Sequence, residues 1–115
     1  MAINYNLSKV YALSDNDSEF VMQIIMLFVT EVPQDLKQMQ LGIKQKDYKQ
    51  AYAFAHKIKP TLDLFGMTIA YEEILQVEAW TKNEGKRKEI DATFESIKYQ
   101  VNKAIKEIKK DYEIQ

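Results

Sequence analysis

One side chain stands out for its reactivity. His56 is the single histidine of the chain, and there is no cysteine. A neutral imidazole is a good nucleophile near pH 7. Lys59, one helical turn further on, can bring an ammonium beside an anion carried on that ring. The same inventory closes other routes. One His and no Cys cannot build a His-rich or thiolate metal site. No glycine-rich phosphate loop occurs, which argues against ATP binding of the known types. A Ser-His-Asp arrangement remains open by composition, but it ordinarily needs a strained turn or cleft. The residue types therefore leave His56 as the candidate nucleophile and form no recognisable site of an independent enzyme. A surface histidine without a role is the plain alternative.

A nucleophile needs a scaffold, and the pattern around His56 is helical. Only three glycines and two prolines interrupt the 115 residues, and no sustained period-two alternation suggests strands. The spacing predicts helices over about 7–13, 17–44, 47–65, 68–84 and 89–110. Asn16, with Glu19 three residues on, has the spacing of a capping box. Asp47 is the expected N-cap of the third helix and Thr68 of the fourth, and Gly66 is a natural stop between them. Pro33 and Pro60 fall inside helices and should kink them. Short connections favour antiparallel neighbours. The expected fold is all-α: an up-and-down four-helix bundle with a short extra N-terminal helix as a lid, forming one domain over residues 1–115.

Helical geometry then says where His56 points. At about 100° per residue, Ala51, Phe54, Ala55, Ile58, Leu62 and Phe65 fall within an arc of roughly 100°, the buried stripe. His56 lies roughly 150° from the centre of that stripe, beside Lys49, Ala53, Lys59, Pro60 and Asp63. On the preceding helix Phe20, Ile24, Leu27 and Phe28 are the expected inward stripe. Met22, Met26 and Val29 fall on a different side. They either pack under the N-terminal helix or form a partly exposed patch near His56 that a partner covers.

The bulk numbers bound the setting. Hydrophobic residues at 46% can fill one core, and a formal net charge of -1 lacks the basic excess of a dedicated nucleic-acid binder. The longest apolar run, Phe20 to Val29, is interrupted by Gln23 and is about half the length of a membrane span. Met1-Ala2-Ile3-Asn4-Tyr5 lacks the basic start and apolar stretch of a signal peptide. The expectation is a soluble, cytoplasmic monomer. The initial Met1 hints at a free-standing protein, with a piece cut from a longer protein as the other origin. Trp80 and the tyrosines read as packing residues, and Lys86-Arg87-Lys88 as a solvated loop.

The segment from Ala55 to Gly66, AHKIKPTLDLFG, resembles the signature of the histidine-containing phosphotransfer (HPt) domain family. That signature sets an exposed helical His before an apolar residue two on, a lysine three on and a small residue four on. An apolar-Gly pair follows at nine and ten. Ile58, Lys59 and Phe65-Gly66 match. Asp17-Ser18-Glu19-Phe20 and Leu75-Gln76-Val77-Glu78 match elsewhere, as do the order and lengths of the helices. The resemblance implies that His56 accepts a phosphoryl group from a receiver-domain aspartate and passes it to another receiver. The partners would be receiver domains of response regulators or hybrid sensor histidine kinases. Lys59 would balance phosphoryl charge, and Glu78 would orient the imidazole. No cofactor is implied on this chain, since magnesium belongs to the receiver. Ala53, Pro60 and Asp63, with Met22, Met26 and Val29, would meet the partner. Pro60 departs from the pattern, because the family usually has Gly there. That departure keeps a second reading open, a docking module that binds a receiver or kinase without phosphotransfer.

Overall fold

In the computed structural model, which describes residues 3–115, five α-helices follow one another: α1 (Ser8–Leu13), α2 (Ser18–Gln45), α3 (Tyr48–Leu64), α4 (Thr68–Lys82) and α5 (Asp91–Asp111). Met1 and Ala2, counted in the expected domain, lie outside the described residues. The local chemistry at each start explains the boundaries, with three differences from the sequence reading. Asp17, not Asn16, caps α2, and its carboxylate accepts the N–H groups of Glu19 and Phe20. Asp15 and Asn16 both take left-handed backbone angles in the preceding turn, which removes Asn16 from the extended geometry of an N-cap. Asp47 caps α3 through Gln50, as expected. Thr68 is already inside α4, whose N-cap is Met67, with no side-chain bond. The run Lys86-Arg87-Lys88 is exposed, as expected, but is not a plain loop. Arg87–Glu89 form a 3-10 turn, and the Lys86 carbonyl accepts from the Trp80 indole at 2.9 Å.

α2, α3, α4 and α5 pack in sequence, and α5 closes back on α2, so the four long helices form a ring around one core. The α3 stripe is the expected one. Ala51, Ala55, Ile58, Leu62 and Phe65 are buried, and Phe54 is half-buried. On α2 Phe28 is buried as expected, but within a different inward stripe of Val21, Ile25, Phe28, Val32, Leu36, Met39 and Ile43. Ile24 is half-buried, while Phe20 and Leu27 are 42% and 55% exposed. Val29, expected on the exposed patch, is buried in the core. The reason is that α2 is apolar around most of its circumference. Two stripes of the same period compete there, and only the neighbouring helices select between them.

The N-terminal segment ties down one end of the bundle. The Asn6 amide donates to the Phe65 carbonyl at 2.8 Å, and Lys9 pairs with Asp63 at 2.8 Å. Glu107 accepts the amides of Ile3 and Asn4. The Tyr5 hydroxyl donates to Asp111 at 2.6 Å, and the hydroxyls of Tyr11 and Tyr112 meet at 3.4 Å. Burial, then the bond to Tyr11, pushes the Tyr112 phenol from 10.0 up to about 12. Burial and Asp111 push Tyr5 up as well. A raised folded-state pKa means that the unfolded chain loses its proton first, so stability present below pH 10.0 declines as pH rises toward about 12. Alkaline denaturant titrations should show this decline, and Tyr112→Phe should flatten part of it.

At the other end, α2 and α3 approach so closely that a Cβ on Gly42 would lie 2.8 Å from the Ala51 nitrogen. Backbone, not a flexible side chain, stands in the way. Gly42→Ala should therefore lower stability by about 1–3 kcal/mol, the usual cost of overpacking, read as a lower urea midpoint.

Candidate functional site

The outward face of α3 exposes Lys49, Ala53, His56, Pro60 and Asp63. The His56 side chain is 61% exposed, yet one of its nitrogens is held. Nδ1 lies 3.2 Å from Oε2 of Glu78, whose own side chain is only 9% exposed. Glu78 sits on α4, antiparallel beside α3, in the stretch where Val77 faces the core. Its other oxygen, Oε1, accepts from the Lys59 ammonium at 3.1 Å. One nearly buried carboxylate thus ties together the histidine and the lysine one turn beyond it. The structure brings together His56 and Lys59, which their chemistry singled out, and Glu78, which the resemblance implied.

This arrangement has electrostatic consequences. With Glu78 accepting at Nδ1, the neutral ring carries its proton there, which leaves the Nε2 lone pair directed away from the carboxylate. The hydrogen bond to Glu78, and then its charge, hold the Lys59 ammonium above the ordinary lysine range against partial burial. Lys59 stays charged beside a ring that is free to act as a nucleophile. An ammonium has three N–H donors, so Lys59 can keep Glu78 and still offer a donor to an anion on Nε2.

The other flank of α3 is built differently. Lys57 turns toward α2, where it meets Asp35 at 3.0 Å and Glu31 at 3.7 Å. Beside it runs a groove of about 390 Å³ between α2 and α3, whose apolar wall includes Leu13, Phe20, Ile24, Leu27 and Leu64. This groove borders α3 through Lys57, Thr61 and Leu64. Met26 is exposed and Met22 half-buried, lining a separate shallow depression with Gln23, Leu27 and Thr30. Val29 is buried and offers nothing to a partner. Asp63 is engaged by Lys9. Pro60 lies mid-helix without breaking α3, which is helical from Tyr48 to Leu64. Because proline has no N–H, the His56 carbonyl still forgoes its helical donor.

Sequence reasoning missed Tyr52. Its ring lies nearly parallel to the imidazole, with centroids 5.6 Å apart. It precedes His56 by four residues, a spacing at which helical side chains meet, so the signal was present.

No protein-family model matches this sequence, and no curated protein matches it. Among solved structures, it is similar to the HPt domain of the Hpt sensor hybrid histidine kinase from Shewanella. The TM-score is 0.75 over 94% of this chain and 95% of that one, at 12% identity. The likeness is one of fold, and the all-α HPt architecture expected from the sequence is the one observed.

If Glu78 is what holds the Lys59 proton, Glu78→Gln should bring the Lys59 pKa down toward the ordinary lysine value. NMR titration of the lysine side chains would measure it, and an unmoved Lys59 would contradict the assignment.

Proposed function

We propose that this chain is a phosphoryl carrier of two-component signalling, with His56 as the acceptor. The observation that carries the reading is the exposed imidazole of His56 with Nδ1 latched to buried Glu78, on a bundle of the HPt fold. The Nε2 lone pair attacks the phosphorus of a receiver aspartyl phosphate. The Nε2–P bond forms as the P–O bond to the aspartyl oxygen breaks, and the aspartate leaves as a carboxylate. Nδ1 keeps its proton, so the phosphorylated ring is cationic, and the Glu78 carboxylate offsets that charge. Lys59 offers a donor to the phosphoryl oxygens. Positioning and electrostatics of this kind supply most of the catalysis in phosphoryl transfer. Reversal of the same step delivers the group to a second receiver.

In this reading the protein needs no nucleotide site, and the magnesium belongs with the receiver's aspartate. The partner covers the outer face of α3 at Ala53, His56 and Pro60 and lays an apolar surface into the groove at Phe20 and Leu27. A cytoplasmic, monomeric carrier fits this role. A second reading has one feature in its favour. Pro60 stiffens the position that the partner's active site must approach, which suits a module that docks a receiver without transfer.

Incubation with a phosphorylated receiver domain separates the two. The carrier reading expects acid-labile label on the protein and none on His56→Gln. Receiver binding without label would favour the docking module, and Pro60→Gly would then be expected to restore transfer.

A further inference from the structure

Four tyrosines, Tyr11, Tyr48, Tyr71 and Tyr112, pack against the core from its margin. Tyr48 also spends its hydroxyl on the Gly85 carbonyl at 2.8 Å and sets its ring 5.0 Å from that of Trp80. Tyr52, one turn later on α3, does something else. It is half-buried, and its ring lies across the reactive imidazole at 5.6 Å with an interplanar angle of 12°. The Lys82 ammonium from α4 sits 5.7 Å from the same ring's centroid. Tyr52 is thus held between α3 and α4 by contacts to the site rather than to the core.

A single hydrogen bond at Nδ1 fixes one nitrogen of an exposed ring but leaves the ring able to pivot about that bond or to flip. A parallel aromatic neighbour restricts the pivot, because tilting the imidazole forfeits the stacked contact. From this geometry we infer that Tyr52 is a positioning residue for His56. It clamps the imidazole against Glu78, so that Nε2 presents its lone pair in one direction and the ring keeps one tautomer. The purpose of the clamp rests on the phosphoryl-carrier reading of His56, whereas the clamp itself can be observed without any partner. Lys82, over the Tyr52 ring, keeps that ring in place and acts only through it.

The test uses the whole chain and three variants: Tyr52→Leu, which keeps apolar bulk without the stacked ring, Tyr52→Phe, which keeps the ring, and His56→Gln as a blank. Nitrogen NMR of the unphosphorylated imidazole reads the tautomer and its exchange. Phosphorylation by the small-molecule donor phosphoramidate, which loses ammonia as the Nε2–P bond forms, reads reactivity without a receiver. The expected result is a single Nδ1–H tautomer in the parent and in Tyr52→Phe, and a mixture in Tyr52→Leu. Phosphorylation of Tyr52→Leu should be slower by roughly three- to tenfold, the size expected for loss of one aromatic pair. Thermal melts of Tyr52→Leu near the parent's would exclude a loss of fold. A Tyr52→Leu variant with the parent tautomer and rate would overturn the inference. If no form takes phosphate, the carrier reading fails, and the tautomer measurement still decides the role of Tyr52.

Discussion

Everything at the site depends on one carboxylate placed where solvent barely reaches it. Glu78 is only 9% exposed at its side chain, yet it has two cationic or protonated partners, Nδ1 of His56 and the ammonium of Lys59. A carboxylate removed from water is costly unless its lone pairs are taken. Both oxygens are used here, and no buried side-chain polar atom among the described residues lacks a partner. The latch also divides the imidazole into a fixed nitrogen and a free one, and that division makes the exposed face of α3 chemically directional.

The bundle keeps α3 and α4 in register. Ala51 and Ala55 on α3, with Ala70 and Val77 on α4, are buried. Small residues on α3 let neighbouring helices come close, as Gly42 does where α2 meets the start of α3. Glu78 can reach across to His56 because α4 returns antiparallel after the tight turn at Gly66, whose φ of +67° suits glycine. The N-terminal segment then pins the C-terminal end of α3 through Asn6 and Lys9. On the α2 flank, Lys57 turns away from His56 to Asp35 and Glu31. Lys59, on the α4 flank, stays with Glu78.

Much of this was legible in the residues, for physical reasons that can be stated. The outward placement of His56 followed from the period of α3, because that helix has one clear apolar stripe. The α2 face was not legible, because Phe20, Ile24 and Leu27 keep the same period as Val21, Ile25 and Val32 and are as apolar. Which set turned inward was decided by packing. The α2 cap was missed by one residue because Asn16 and Asp17 are both able to cap, and the left-handed turn that excludes Asn16 is a property of the backbone path. Glu78 came from the family resemblance alone. It is 22 residues from His56, and no local rule connects them until α3 and α4 pair. Tyr52 was within reach of local reasoning, since it stands one turn before the histidine.

The central claim is that the Glu78 latch directs phosphorylation to the outer nitrogen of His56. Combined phosphorus and nitrogen NMR of the phosphorylated protein tests it most directly, because phosphorus couples to the nitrogen that bears it. The account predicts phosphorus on Nε2 with the proton retained on Nδ1. Phosphorus on Nδ1, or on any residue other than His56, would contradict it.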